Sequence, residues 1–293
     1  MELMALGEAK KLMGTVCLAF FRATEHIMGI YARGNVDVER KGDGSPVTEA
    51  DKGANRIILG ILQAAYPDYA VLAEETYDSD RRNARRLSAK RCFIVDPLDG
   101  TKEFIARIDQ FSICIAVAEE HEIIAGAVFA PVQKLMYYAA RGLGAYRVQT
   151  DGATTPEFFA ASDRIHVSGR RGSGLIAMVS RYHTDPPTAA FLEGELAPPL
   201  GTAKGGHISK VITAGSALKG CAIAAGEADI YYRFGHTMEW DTAANQVIVE
   251  EAGGVMRQLD KERSPFLYNR EDSLNAHGFY ILNSPENNLV DKK

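Results

Sequence analysis

The sequence predicts an α/β fold of the α+β kind, and three observations predict it. Short apolar segments joined by polar turns fill the middle of the chain and read as an antiparallel meander. The second half alternates apolar strands with helical stretches, which reads as a mixed α/β layer. At 293 residues, with 46% hydrophobic content, the chain can bury a substantial core in one large domain or two of ordinary size.

A helix is expected from about residue 5 to Tyr31, where Met13, Val16, Cys17 and Phe20 share one face. Lys10-Lys11 before an apolar run resembles a leader, but Glu2 and Glu8 precede it and Arg22, Glu25 and His26 continue the amphipathic pattern. A polar Gly-rich loop, Arg33 to Gly44, follows. Ser45-Pro46-Val47-Thr48-Glu49-Ala50-Asp51 then leads into a second helix, about Ala50 to Tyr66, with Thr48 as N-cap and Ile57, Ile58, Ile61 and Leu62 turned inward. Ala70 to Ala73 reads as a buried strand that ends in Glu74-Glu75. The Arg- and Lys-rich stretch Asp78 to Arg91 reads as a solvated loop or helix face.

Cys92 to Val95 is the next strand, and Pro97 bars its continuation as an ordinary ladder member. A helix should start at Thr101. Phe111 to Ala118, Ile123 to Ala130, Lys134 to Ala140 and Gly144 to Val148 form the meander. The Gly-, Thr- and Pro-bearing connection Asp151 to Asp163 marks a boundary between an N-terminal part, 1–160, and a C-terminal part, 161–293. Beyond it come strands at Leu175 to Ser180, Ile208 to Ile212 and Ile230 to Phe234, with helices at Pro187 to Leu196 and Ser216 to Ala225. Trp240-Asp241-Thr242-Ala243-Ala244 opens a further helix closed by Gly253-Gly254, and strands near Val255 and at Phe279 to Leu282 finish the chain.

A formal net charge of -5 argues against a nucleic-acid-binding surface spread over the whole protein. Cys17, Cys92, Cys114 and Cys221 lie mostly in apolar stretches without Cys-x-x-Cys spacing, so they read as reduced core thiols with neither disulfide nor zinc site. No apolar run has the length of a membrane span. These features suit a cytoplasmic protein, free or peripheral at the inner membrane, and either a monomer or a homodimer.

The chemistry centres on Asp96-Pro97-Leu98-Asp99-Gly100-Thr101. Asp96 and Asp99, with the Leu98 carbonyl between them, group hard oxygen ligands that suit Mg²⁺. Gly100 permits close backbone approach, and the N–H groups of the following helix start can meet phosphate. A plain surface turn would use the same residue types. Aspartyl-phosphate phosphatases place a nucleophilic Asp two positions before the second Asp; Pro97 stands there, which excludes that chemistry. Taken singly, Asp51 and Asp241 are acids favoured in first helical turns, and Glu74-Glu75 a solvated pair.

Taken together, Asp51, Glu74-Glu75, Asp96-Pro97-Leu98-Asp99-Gly100-Thr101 and Trp240-Asp241 resemble, in order and spacing, the lithium-sensitive Mg²⁺-dependent phosphomonoesterases, the superfamily of inositol monophosphatase and fructose-1,6-bisphosphatase. Within it the chain looks most like the bacterial 3′(2′),5′-bisphosphate nucleotidases of sulfur metabolism. Asp99-Gly100-Thr101-Lys102-Glu103-Phe104, Ser180-Arg181-Tyr182-His183, Gly215-Ser216-Ala217-Leu218-Lys219 and Tyr232-Arg233-Phe234-Gly235 carry that likeness. Gln110, His236 and Asn245 depart from the group's usual Glu, Pro and Gly. The resemblance implies a layered α/β/α/β/α sandwich with the active site between its two parts.

It also implies the site. Glu74, Asp96 and the Leu98 carbonyl would hold one Mg²⁺; Asp96, Asp99 and Asp241 would hold a second, with a third, weakly held ion near Glu74. One ion would lower the pKa of the attacking water and the other would neutralise charge on the leaving oxygen. Thr101, oriented by Asp51, would position or deprotonate that water, and the N–H groups of Gly100 and Thr101 would bind the transferred phosphate. The implied substrate is a small nucleotide, adenosine 3′,5′-bisphosphate. Lys219 and Arg233 are candidates for its second phosphate, with Ser180, His183 and Ser216 as further ones. A phosphatase of inositol or sugar monophosphates and a nucleotide-binding regulatory protein on the same scaffold are the alternatives.

Overall fold

The computed structural model describes residues 4–34, 36–42, 44–80, 83–152, 154–195 and 207–291. Leu196, expected to end a helix, and positions 35, 43, 81, 82 and 153 of the expected loops lie outside the described residues. The chain opens with helix α1 (Leu6–Arg33), which buries Leu12, Met13, Val16, Phe20, Ala23, Ile27 and Ile30 along one stripe. The expected loop after it contains a short hairpin, β1 (Val38–Arg40) with β2 (Pro46–Thr48). Helix α2 (Glu49–Ala65) starts at Thr48, whose side chain accepts from the Ala50 N–H as the N-cap reading requires.

Strand β3 (Ala70–Ala73), the one-turn helices α3 (Tyr77–Asp80) and α4 (Ala84–Leu87), strand β4 (Arg91–Asp99) and helix α5 (Thr101–Ile105) follow. The meander is β5 (Ser112–Glu119), β6 (Glu122–Ala130), β7 (Leu135–Ala140), β8 (Gly144–Gln149) and β9 (Arg164–Ile165). Together with β3 and β4 it makes a seven-stranded sheet in the order β3-β4-β5-β6-β7-β8-β9, antiparallel except for β3 and β4. The rest of the chain supplies β10 (Leu175–Ser180), α6 (Pro186–Glu195), β11 (Ile208–Ala214), α7 (Leu218–Ala224), β12 (Ile230–Arg233), β13 (Thr237–Met238), α8 (Glu239–Glu251), β14 (Val255–Gln258), β15 (Leu274–Asn275) and β16 (Phe279–Leu282). A five-stranded sheet of order β11-β10-β12-β16-β14 results, parallel across β11, β10 and β12 and antiparallel beyond.

Side-chain alternation along the strands separates the layers. On β4, Phe93 and Val95 join α1 and α2 in one core, while Cys92 and Ile94 join α7, α8 and the inner face of the smaller sheet in another. On β12, Tyr231 faces that second core, and Ile230 and Tyr232 face a third with Leu192 of α6. The order is therefore helices, large sheet, helices, small sheet, helix, the five layers expected. Gly126 of β6 lets α8 lie close: a Cβ there would come within 2.9 Å of the Val247 side chain and 3.0 Å of the Ala244 backbone. All four cysteines are buried. No helix among the described residues is long and apolar enough to cross a membrane.

Two local expectations are adjusted. The strand expected over Cys92 to Val95 runs on to Asp99, but as expected Pro97 is no ordinary ladder member: the register breaks between the pairs Asp96–Cys114 and Asp99–Ser112, with one residue more on β4 than on β5. The stretch Asp78 to Arg91 is not wholly solvated. Arg86 is 2% exposed, because Asn269 Oδ1 and the Arg270 carbonyl accept its guanidinium N–H groups.

Candidate metal and phosphate site

The bulge at Pro97 turns both acids of β4 toward one place. Asp96 Oδ1 accepts from the Leu98 N–H at 3.0 Å, and Asp99 Oδ2 accepts from the Ala217 N–H at 2.5 Å. Gly100, at φ 94°, takes the left-handed turn into α5, and a Cβ there would press on the Gln110 carbonyl, Phe111 and Ser216. Asp241 reaches the same point from the first turn of α8, where its Oδ2 accepts from the Met238 N–H. Asp96, Asp99 and Asp241 each offer an oxygen within 4.8 Å of the others. Three carboxylates this close repel one another, and burial adds to the cost of charging them. Burial, then Glu74, Asp99 and Asp241, holds Asp96 well above the usual carboxylate range; burial and Asp241 push Asp99 up to about 7. Burial raises Asp241 as well. A set of hard oxygen donors that burial and mutual repulsion make costly to charge fits a small divalent cation such as Mg²⁺.

Glu74 stands beside this group, close enough to raise Asp96, and its Oε1 takes a 2.6 Å ion pair from Lys41 Nζ. The same ammonium reaches Glu75 Oε1 at 2.6 Å. Burial pushes Glu74 up to about 7 even with that ammonium beside it. Lys41 carried no signal in the sequence, since a lone lysine in a Gly-rich polar loop reads as solvated. Only the packing of the β1–β2 hairpin against Glu74-Glu75 makes it part of the site.

Thr101 and Asp51 meet. Thr101 Oγ1 donates to Asp51 Oδ1 at 2.9 Å and lies 3.3 Å from the Leu98 carbonyl, while Thr48 N–H and Oγ1–H hold Asp51 Oδ2 at 2.8 and 2.6 Å. Asp51 is 2% exposed, and burial raises its pKa.

The C-terminal candidates fall into two groups. Lys219, on α7, is not a solvated helix residue: it is 6% exposed, its Nζ donates to the Ser216 carbonyl, and burial pushes it down to about 8 against the pull of Asp99. Arg233 ends β12 with one Nη bonded to the His236 carbonyl, and its buried Nε has no hydrogen-bond partner. His183 is exposed, and desolvation with the charges of Arg233, Lys102 and Lys219 pushes it down. Ser180 and Ser216 each accept hydrogen bonds within their own turns, which leaves the O–H of each to donate. Ser180 Oγ accepts from the His183 N–H; Ser216, at φ 52°, accepts from Ser112 Oγ–H and thereby shapes the turn that aims the Ala217 N–H at Asp99. Gln110 also serves this turn, since its Oε1 accepts from the Gly215 N–H and from Arg181.

The model of the inositol monophosphatase family matches residues 10–288, nearly the whole chain. The chain belongs to the inositol monophosphatase family. Among curated relatives, the 3′(2′),5′-bisphosphate nucleotidase CysQ of Salmonella typhimurium is 38% identical over 81% of this chain and 87% of its own length. CysQ of Escherichia coli K12 is 34% identical over 92% of this chain and 99% of its own. The crystal structure of CysQ from Bacteroides thetaiotaomicron superposes with a TM-score of 0.74 at 33% identity, covering 95% of this chain and 98% of that one. This family member thus has the layered fold and the acid cluster that the sequence led one to expect.

Proposed function

We propose that the chain is a 3′(2′),5′-bisphosphate nucleotidase that hydrolyses the 3′-phosphate of adenosine 3′,5′-bisphosphate to give AMP and phosphate. One observation carries the choice of substrate: the buried Asp96 and the half-buried Asp99 and Asp241 lie opposite the buried Lys219 and the half-buried Arg233, close enough that both cations pull Asp241 down while Asp99 and Asp241 pull Lys219 up. A substrate with one phosphate on the acid side and another on the cation side fits both halves. An inositol monophosphate uses only the first.

Asp96, Asp99, Asp241, Glu74 and the Leu98 carbonyl would hold two or three Mg²⁺ ions. Magnesium supplies there the activation of water and the neutralisation of the leaving oxygen. The remaining work falls to the chain's own groups. Asp51 fixes the Thr101 hydroxyl so that its lone pairs face the attacking water, with the proton of that water passing toward the Thr101–Asp51 pair. The water oxygen bonds to phosphorus, the P–O3′ bond breaks, and the 3′-oxygen leaves with a proton. The N–H groups of Gly100 and Thr101 would steady the transferred phosphate. On the other side, the unpartnered Arg233 Nε and the Lys219 ammonium meet the 5′-phosphate, whose burial without a counter-charge would be costly. The curated relatives' activity and the complete ligand set both disfavour a regulatory protein without catalysis.

The test is phosphate release, with Mg²⁺ present, from adenosine 3′,5′-bisphosphate and from inositol 1-phosphate. The bisphosphate should lead by roughly ten- to a hundredfold in kcat/KM, the worth of one charge-assisted contact. A lead for inositol 1-phosphate would overturn the assignment.

A further inference from the structure

The acids of the metal group come from distant parts of the chain; α8 packs on the large sheet at Gly126, through residues beyond the turn that carries Asp241. Asp96 and Asp99 belong to the large sheet, and Asp241 to a helix between the sheets. The segment from Tyr268 to Asn275 touches both sides.

Toward α8 its hydrogen bonds fall on the residues flanking Asp241. Glu239, fully buried, accepts from the Asn269 N–H at 2.6 Å, the Arg270 N–H at 3.1 Å and Arg270 Nε at 3.0 Å, and its own N–H donates to the Ser273 carbonyl. Arg270 also donates to Asn275 Oδ1, and Asn275 Nδ2 in turn donates to the Met238 carbonyl and Thr242 Oγ1. Toward the N-terminal acids, the Ser273 N–H donates to the hydroxyl of Tyr77, three residues beyond Glu74, and the Tyr77 ring packs edge-on against Trp240 at 5.2 Å. Arg86, just ahead of β4, is buried against Asn269 and the Arg270 carbonyl, and Asn269 Nδ2 returns a bond to the Arg86 carbonyl.

We propose that this segment is a brace which holds Asp241 at ligating distance from the acids of β4 and the Glu74 turn, with Arg270 and Arg86 as positioning residues. The inference rests on the reading that Asp241 shares a metal with Asp96 and Asp99. Magnesium demands near-ideal octahedral geometry and short bonds, so a small drift of one carboxylate is felt as lost affinity. Partners behind metal ligands typically contribute ten- to a hundredfold in affinity. Glu239 and Arg270 do not touch the reacting atoms; they act through the backbone of the first turn of α8.

Loss of Arg270 leaves the Glu239 carboxylate buried and unpaired, so reduced stability alone decides nothing. The measurement is the Mg²⁺ dissociation constant by isothermal titration of the full chain, together with the melting temperature in EDTA. Arg270→Lys, which keeps a charge near Glu239 but cannot also reach Asn275, and Arg86→Met are compared with Arg170→Lys. Arg170 pairs with a different fully buried acid, Asp229, which precedes β12 and accepts from the Ile176 N–H at the end of β10 away from Ser180. Arg270→Lys and Arg86→Met should each weaken Mg²⁺ about tenfold or more, whereas Arg170→Lys lowers the melting temperature at unchanged Mg²⁺ affinity. Should Arg86→Met fail to fold, Arg270→Lys decides alone. Wild-type Mg²⁺ affinity in Arg270→Lys, or an equal loss in Arg170→Lys, would overturn the brace. Asp241→Asn separates this from the parent reading: if that variant binds Mg²⁺ as wild type does, the metal assignment itself falls.

Discussion

Thr101 Oγ1 gives its hydrogen to Asp51 Oδ1 across 2.9 Å, tying the residue that follows the acidic turn to the first turn of α2. Asp51 is held in turn by two bonds from Thr48, so the hydroxyl's direction is set by the helix N-terminus and not by its own rotamer freedom. Thr101→Ala should lower kcat by about 10²–10⁴-fold, the usual range for a positioned proton acceptor. Mg²⁺ and substrate affinity should stay close to wild type. Isothermal titration with Mg²⁺ checks this, and lost metal binding would make Thr101 part of the metal scaffold instead.

Asp96 is the acid most crowded by its neighbours, with Glu74, Asp99 and Asp241 all raising it. Asp96→Asn removes one charge from that cluster, so activity with Mg²⁺ should vanish while the melting temperature in EDTA stays the same or rises. The thermal shift on adding Mg²⁺ should disappear with it. Near-native turnover in this variant would mean that the metal does not depend on Asp96.

Raised acids also predict a pH dependence. Glu74 and Asp99 titrate near 7 in the folded chain and near the ordinary value of about 4 when unfolded, so between these values the folded state binds more protons. Stability in EDTA therefore falls as pH rises through that window. Mg²⁺ takes over the compensation that protons supply at low pH, and its stabilising increment should be larger at about pH 7.5 than at about pH 5.5. Melting curves with and without Mg²⁺ at both values test the sign; an equal increment at both would show that the acids do not share one cation.

Arg233 carries a buried Nε without a partner, and its planar fork can hold phosphate bidentately. Arg233→Ala should raise KM for adenosine 3′,5′-bisphosphate by roughly ten- to a hundredfold and leave 3′-AMP, which lacks the 5′ group, nearly unchanged. Equal losses on the two substrates would place Arg233 in the fold or the metal site.

Much of the site was legible because its centre is local. Asp96, Leu98, Asp99, Gly100 and Thr101 lie within one strand, one bulge and one helix start, and over so few residues the backbone pattern itself fixes which groups come together. The alternating strands and the amphipathic helices likewise follow from periodicities of two and about 3.6 residues. Lys41, Arg86, Ser112 and Glu239 were not legible. Lys41 and Arg86 sit in polar stretches that read as solvated, Ser112 and Glu239 are lone polar residues beside apolar ones, and only a partner from elsewhere in the chain shows what each does. Arg86 is buried where Asn269 and the Arg270 carbonyl accept its donors, and Lys41 is drawn in by Glu74 and Glu75.

The sequence by itself determined the kinds of element, the order of the acids and the oxygen chemistry of the turn, since each depends on contacts a few residues apart. The tertiary structure decided how Asp241, implied by the resemblance, comes to lie with the acids of β4, that Lys219 is buried and Arg233 half-buried opposite it, and that Ser216 shapes the turn before α7. Those outcomes depend on how α7 and α8 pack between the two sheets, with Gly126 admitting α8 and the 268–275 segment setting its first turn. Packing of that kind joins residues far apart in the chain, and no local spacing encodes it.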